Sequence, residues 1–522
     1  LTTPPSVLTD LRTRAAYSES AGIYRIVPAG VAVPRSVDDV CALARWAAET
    51  RTSLVPRGAG SAMPGNAVGA GVVVDLSQGF GRVEVDTDRR VALTGASVTW
   101  GALAAAAGGL GLRLPPDPSS GAFATVGGLV ATNAAGPRSV RYGSVRPWVE
   151  AVEAVGADGE VRWVRRGGGT GGRFSLDPGG RRLVSAGFPR TRKNAAGYAL
   201  DAFAASGDEL DLFVGAEGTL GIVTSVRWRL DPVPPHRAGA SVGFATLDAL
   251  QEAVNLLTAL HPSAVELMDE TLLRFAAEGG GTVPPGLAAL LLVEFERDSP
   301  ADARDALGDA IRGLRHLTSH LETAADHAGL DALWRVRTLA SPVLARLPET
   351  RRSLQVVEDG CVPVHRLGDY LAGVREAAAG LDIPVVLFGH AGDGHVHVNA
   401  LPDLTRAGWR ESLRALYDAV SELVIRLGGT PAGEHGAGRL RSGLLARLYG
   451  ADVLALFAAV KRAYDPADVF NPGVILPADD WDPLAAMKVG PAAAPIPDDI
   501  AARLRDLERT GAWQTPKTEL AR

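Results

Sequence analysis

Cysteine is nearly absent from this chain: among 522 residues only Cys41 and Cys361 occur. An iron–sulfur cluster usually takes four thiolates, so the chain carries none alone, and any electrons it handles must leave by another route. The expected state of the two cysteines is a pair of buried free thiols. Long apolar runs are missing as well; none reaches the roughly 18 residues that a membrane helix needs. The opening segment LTTPPSVLTDLRTRAAYSES lacks the basic start and apolar stretch of a signal peptide. A cytoplasmic location is expected, with peripheral attachment at the inner face of a membrane as its variant. Leu1 is not a methionine, which leaves the native start open. A large charge of one sign is also lacking: the net charge is -6 with both signs scattered, which argues against a nucleic-acid partner. No GxGxxG lies between a strand and a helix near the start, so a nicotinamide site of the Rossmann type is not expected there. No short-period repeat is present.

What is present is an ordinary globular composition, 46% apolar and 21% charged, in a chain too long for one core. Two or more domains are expected. Residues 29–35 predict a strand, Ser36 caps a helix with acids in its first turn, and SLVP and GVVVDLS predict two further strands. A hairpin is expected over 149–163, with ADG as its turn. RRGGGTGGRFSLDPGGRR reads as an exposed, solvated loop, and DPVPP at 231–235 as a domain boundary. Beyond it, helices are expected near 247–260 and 302–314, with a strand at 289–295. The segment after 480 reads as peripheral, with one short amphipathic helix.

Three glycine-rich turns stand in the first half: Arg57-Gly58-Ala59-Gly60-Ser61, Gly127-Gly128 and Gly215-Ala216-Glu217-Gly218-Thr219. Consecutive backbone N–H groups in such turns make concave sites suited to a pyrophosphate. The segments PRGAGSAMPGNAVGAGVVVDLS, PPDPSSGAFATVGGLVATNAAGPRSVRYGSV and FVGAEGTLGIVT resemble the FAD-binding domain of flavoproteins of the vanillyl-alcohol-oxidase type. The similarity is to the branch with D-lactate dehydrogenase, the flavoprotein subunit of glycolate oxidase and D-2-hydroxyglutarate dehydrogenase, and runs from Tyr24 to Pro477. The resemblance implies that Arg57 to Ser61 wrap the pyrophosphate. It implies that Pro116, Asp117, Thr125, Gly127, Gly128, Asn133 and Ser139 line the flavin, with Gly218, Ile222, Val223 and Asn471 completing the site. Covalent members carry a His or Cys at certain of these turns; none stands here, so non-covalent FAD is expected.

The second signal is a crowd of histidines. In Phe-Gly-His390-Ala-Gly-Asp-Gly-His395-Val-His397-Val-Asn399 a tight AGDG turn joins two strands. Side chains alternate along a strand, so His395, His397 and Asn399 share one face, and His390 can fold over toward it. A core-facing row of His and Asn costs several kcal/mol unless paired or ligated. One such histidine would ordinarily be a satisfied core residue; three of the chain's ten in so short a stretch argue otherwise. A later loop, Ala-Gly-Glu434-His435-Gly-Ala-Gly, adds an acid and another histidine, and two imidazoles with a carboxylate leave open positions at a zinc-like ion. The family motif is H-x6-H with a later G-E-H-G. The resemblance thus implies a divalent metal, zinc first, on His390, His397 and Glu434. It implies His435 as the base and Asn399 as a substrate contact. It also implies Arg337 of Trp334-Arg335-Val336-Arg337 as the carboxylate anchor, with Ser341 one turn on where relatives have Thr. Val357 stands where common D-2-hydroxyglutarate dehydrogenases carry a Lys, which puts that specificity in doubt.

The fold expected from this is α+β: a two-part FAD-binding domain of the vanillyl-alcohol-oxidase type over 1–233 and an α+β cap with an antiparallel sheet over 234–440. A helical segment, 441–480, returns to the FAD domain, and 481–522 form the tail. The expected function is oxidation of a small D-2-hydroxy acid, with hydride transfer to flavin N5. The alternative is a non-catalytic flavoprotein subunit of an oxidase complex. The partners expected are that substrate and an electron acceptor: a quinone, cytochrome, flavoprotein or iron–sulfur subunit. A homodimer is left open.

Overall fold

The structure is a computed structural model that describes residues 6–168 and 172–522, and for 339–342 the backbone path alone. Its first sheet is parallel. The strands Gly30–Ala32, Val72–Asp75 and Leu54–Arg57 lie in that spatial order, with the helix Val37–Thr50 as crossover. Ser36 and Asp39 form a reciprocal cap at its start, each accepting from the other's backbone N–H, which fixes where the helix begins. A five-stranded antiparallel sheet follows, ordered Val83–Asp86, Val91–Gly95, Ile222–Arg229, Val149–Val155, Val161–Arg165. The last two strands are the hairpin expected over 149–163.

The second unit is a seven-stranded sheet, ordered His320–Ala324, His236–Phe244, Ala289–Arg297, Ala264–Asp269, Val385–His390, His395–Ala400, Gly360–Cys361, with every pairing antiparallel. Alternation gives it two apolar faces. Leu291 and Val293 join the core under the helices Leu247–Ala259, Pro300–Leu314, Leu367–Gly380 and Trp409–Arg426, whereas Leu290 and Leu292 meet the helices Glu270–Glu278 and His327–Ala345. The helix Leu445–Tyr464 then packs Tyr449 and Phe457 against Phe188 and Tyr198 of the first unit.

Two expectations need correction. The stretch read as a solvated loop ends in the first turn of a helix, Pro178–Gly187, capped by Asp177 and packed through Val184; 169–171 lie outside the described residues. The terminal segment is not peripheral. Ile500, Leu504 and Leu507 make a buried stripe on the helix Asp498–Thr510, and Ile500 and Leu504 pack with Tyr17, Val31 and Val55. Arg12, near the other end of the chain, donates to Ala521 O at 2.9 Å and pairs with Asp499. Among the described residues no helix is long and apolar enough to cross a membrane.

The two units are joined by charges taken out of water. Arg138 pairs with Glu294 at 2.9 Å and also with Asp117; Arg113 meets both oxygens of Glu296 at 2.9 and 3.0 Å, and Tyr142 donates to the same carboxylate. Both glutamates are essentially fully buried. Buried pairs of this kind are costly to break from one side, by about 3–5 kcal/mol.

Candidate active site

A cavity of about 620 Å³ lies between the two units. Its first wall is the turn after the strand Leu54–Arg57. The amides of Ala59, Gly60 and Ser61 donate to no backbone or side-chain acceptor among the described residues, and all three residues line the cavity. The other two glycine-rich turns are spent internally. Gly127 N–H donates to Ala96 O and Gly128 N–H to Thr125 Oγ1, while Gly215 and Glu217 donate to Val130 O and Ala131 O. The first turn alone therefore offers consecutive free amides to an anion. A Cβ on Gly128 would meet only Thr125 Oγ1, at 3.2 Å, and otherwise stand in the cavity. Small residues and unpaired amides around a cleft of this size fit a dinucleotide such as FAD.

Of the residues named for the flavin, Arg57, Gly58, Ala59, Gly60, Ser61, Thr125, Gly127, Gly128, Gly218 and Val223 line the cavity. The Arg57 guanidinium turns away and braces the loop, donating to Tyr17 O and Glu19 O. Six others are not among the lining residues. Asp117 is bound to Arg138, and Ser139 Oγ donates to Gly136 O and lies 2.5 Å from Asp393 Oδ2. Asn133 ends a helix with φ 51° and accepts from Arg146 N–H. Asn471 donates to Asn66 O and Glu217 O, Pro116 O accepts from Trp100, and Ile222 is fully buried in the core.

The second wall is the hairpin Val385–His390 and His395–Ala400. Gly394 closes its turn at φ +70°, and a Cβ there would stand 2.2 Å from Val362 O. His390, His397 and Asn399 line the cavity; His395 is fully buried behind them. Glu434 and His435 arrive on the loop after the helix Trp409–Arg426. Asp359 holds that loop by accepting from Glu434 N–H at 3.1 Å and His435 N–H at 3.0 Å, and Glu217 accepts from Ala437 and Gly438 N–H at 2.8 Å each. Glu217 itself stands in the cavity wall, and burial pushes its pKa up to about 7.

Glu434 Oε1 lies 3.1 Å from His390 Nε2 and 3.4 Å from His397 Nε2. Ligands on one cation at ~2.0–2.1 Å bond lengths stand about 3.3 Å apart in a tetrahedral site. The far ring nitrogens are committed. His397 Nδ1 donates to Glu358 O at 2.9 Å and His390 Nδ1 meets Glu266 Oε1 at 2.5 Å. A carbonyl can only accept, so His397 Nδ1 carries a proton, and in the neutral ring Nε2 presents a lone pair toward a carboxylate. Two such acceptors face each other stably only with a proton or a cation between them. The donor set fits a divalent cation and has the outer hydrogen bonds usual for one. Lys193 Nζ pairs with Glu434 Oε2 at 2.6 Å. Burial alone would raise the Glu434 carboxyl, but Lys193 and His390 outweigh it and hold it well below the usual range.

His435 Nδ1 lies 2.6 Å from Glu358 Oε2, and Glu358 is in turn gripped by Arg441. Burial lowers the His435 pKa, but the carboxylates of Glu358 and Asp359 outweigh it and leave it at about 9. Arg337 lines the cavity from the helix His327–Ala345. Its guanidinium lies 4.8 Å over the Phe388 ring, with Nε 3.4 Å from Glu266 Oε2. Ser341 falls on the same helix, with its side chain outside the described residues. Val357 is buried in the cap core. Sequence reasoning gave no role to Lys193, Glu266, Glu358 or Asp359. The acid in the apolar strand AVELMD was the one available signal for Glu266; nothing local marks Lys193.

The family model described as FAD binding domain matches residues 28–165, and that described as FAD linked oxidases, C-terminal domain, matches 233–475. The chain is 30% identical to a D-lactate dehydrogenase of Archaeoglobus fulgidus, over 85% of this chain and 91% of that protein. It is 29% identical to the glycolate oxidase subunit GlcD of Bacillus subtilis, over 87% and 90% of the two. A D-2-hydroxyglutarate dehydrogenase of Pseudomonas putida is 29% identical over 97% of this chain, which spans 53% of it. Among solved structures an alkyldihydroxyacetonephosphate synthase shares the fold, with TM-score 0.60 at 16% identity over 90% of this chain and 82% of that one. With its cavity, its free amides and its two matched domains, the chain belongs to the FAD-linked oxidases, as an FAD-dependent oxidoreductase of the D-lactate, glycolate and D-2-hydroxyglutarate dehydrogenase family.

Proposed function

We propose that the chain oxidises a small D-2-hydroxy acid, of the lactate, glycolate or 2-hydroxyglutarate type, to the 2-keto acid. In this reading a divalent cation, zinc first, sits on His390, His397 and Glu434, with His435 as proton acceptor and Arg337 as carboxylate anchor. The observation that carries it is the convergence of all five side chains on one cavity that also contains the free amides of the first turn. When bound, the flavin supplies the acceptor for the two electrons leaving C2, and the cation supplies positive charge at the substrate oxygen.

The rest falls to the chain. Arg337 offers a planar fork to the carboxylate, held flat by Phe388 and steered by Glu266. Glu358 keeps a proton on His435 Nδ1 and so leaves Nε2 to take the hydroxyl proton. Asn399, next but one to His397, offers an amide to the substrate. The thiols of Cys41 and Cys361 are free and buried, so electrons pass from the reduced flavin to a separate acceptor.

The test is anaerobic bleaching of the flavin absorbance by a panel of D- and L-2-hydroxy acids, with and without a chelator. Bleaching by one D-acid, lost on chelation and restored by cation, is the expected result. Bleaching by no acid overturns the reading in favour of a non-catalytic subunit; bleaching that survives chelation overturns the cation. Arg337→Ala should raise KM about 10- to 100-fold, the worth of a charge-assisted hydrogen bond, with a smaller fall in kcat. Steady-state kinetics on the preferred acid checks this; an unchanged KM removes Arg337 from the carboxylate.

A further inference from the structure

His395 has no task in the site described so far, yet it is fully buried and sits against it. Its ring stacks on His390, with centroids 5.3 Å apart, and meets His397 edge-on at 4.6 Å. Its Nε2 lies 2.9 Å from Asp359 Oδ1. Asp359 already accepts two backbone N–H groups, from Glu434 and His435, one on each oxygen, so its oxygens act as acceptors. His395 Nε2 therefore carries the proton and Nδ1 carries a lone pair. That Nδ1 is buried and has no hydrogen-bond partner among the described residues. It lies 3.9 Å from Glu434 Oε1, on the cation side of the ring. Lys193, the buried ammonium whose charge acts on this ring, is committed to Glu434 Oε2 and Asp393. A buried nitrogen left unsatisfied costs about 1–3 kcal/mol.

We propose that His395 Nδ1 is a protein ligand of the cation, which is then held by three imidazoles, His390, His395 and His397, and the Glu434 carboxylate. This rests on the cation reading above and extends it. One ligand atom from each of the four residues lies within 4.8 Å of the others. Opposed ligands on a cation with ~2.1 Å bonds stand about 4.2 Å apart, so an inward shift of about half an ångström closes the set. The consequence is chemical. Four protein ligands fill a tetrahedral ion and leave no position for substrate, so the site calls for a cation that accepts five or six ligands. Nitrogen-rich ligation also favours a borderline ion over Mg²⁺ or Ca²⁺.

The experiment is a crystal structure of the FAD-loaded chain grown with Co²⁺, the ion located by its anomalous signal. A bond of about 2.1 Å from His395 Nδ1 is the expected result. Co²⁺ on His390, His397 and Glu434 with His395 Nδ1 beyond about 3 Å overturns this proposal and leaves the cation reading standing. No Co²⁺ at the cluster overturns both. A Co²⁺ titration of His395→Asn, scored beside its FAD content, gives an independent check. Loss of a ligand should weaken Co²⁺ binding at least 10-fold while FAD stays bound. Unchanged affinity overturns the proposal. If that variant fails to fold, the wild-type crystal decides alone.

Discussion

Replacing His435 with alanine should leave FAD bound and still oxidised when the preferred 2-hydroxy acid is added, with flavin reduction slowed about 10²- to 10⁴-fold. Of the three imidazoles among the described cavity-lining residues, His435 is the one that the proposed reading leaves off the cation. His390 and His397 have their outer nitrogens committed to Glu266 and to the Glu358 carbonyl, and both turn Nε2 toward Glu434. Glu358 and Asp359 raise His435 to about 9, so below that pH the cation-free site keeps His435 protonated and unable to accept. A cation on Glu434 opposes that charge and brings the pKa down. The rate should therefore rise with pH along a limb whose apparent pKa is at or below about 9. Stopped-flow reduction from pH 6 to 10, with the FAD content of the variant, checks both statements. Turnover in His435→Ala within a factor of about three of wild type would show that another group takes the proton.

The second large effect is at Glu434. Glu434→Gln should lose the bound cation and with it nearly all flavin reduction. It should also lose stability, because buried Lys193 loses the nearer of its two carboxylates and keeps only Asp393, at 3.5 Å. Removing one member of a buried pair costs about 3–5 kcal/mol. Converting Lys193 to Met in the same chain removes the stranded ammonium, so the double variant should regain much of the melting temperature but neither cation nor activity. Metal analysis, thermal melting and flavin reduction on wild type and both variants separate the two roles. A Glu434→Gln chain that retains its cation would remove Glu434 from the ligand set. A double variant that melts no higher than the single one would show that the pair carries little of the stability.

Much of the fold was legible because it is written in local pattern. Ser36 with Asp39 marks a helix start, and GVVVDLS marks a strand whatever surrounds it. The alternation of His395, His397 and Asn399 put three polar groups on one face, where the hairpin holds them. The flavin wall was legible only in part. Thr125 and Asp117 are equally polar and lie in one small-residue stretch, but Thr125 faces the cavity while Asp117 is taken by Arg138. That choice is made by the cap, whose Glu294 draws Arg138 across the boundary, and no local period records it. Lys193 and Glu266 were missed for the same reason. Their partners Glu434 and His390 are 241 and 124 residues away, so their roles exist only after the sheet has closed. The terminal helix was misjudged because an amphipathic stripe says that something covers it, not what.

The ionic seam bears on how enzymes of this family exchange parts. In the proposed reading Arg337, Asn399 and the cation ligands all belong to the cap, so a chimaera that grafts a foreign cap onto this flavin domain would replace the substrate side of the cavity. Glu294 and Glu296 would have to travel with the graft, since Arg113 and Arg138 stay behind on the recipient side. Without those acids Arg138 keeps only Asp117, and Arg113 is left with no carboxylate of its pair. The four charges thus act as a compatibility code between the halves, which makes the cap an inherited partner of its flavin domain and not a free cassette.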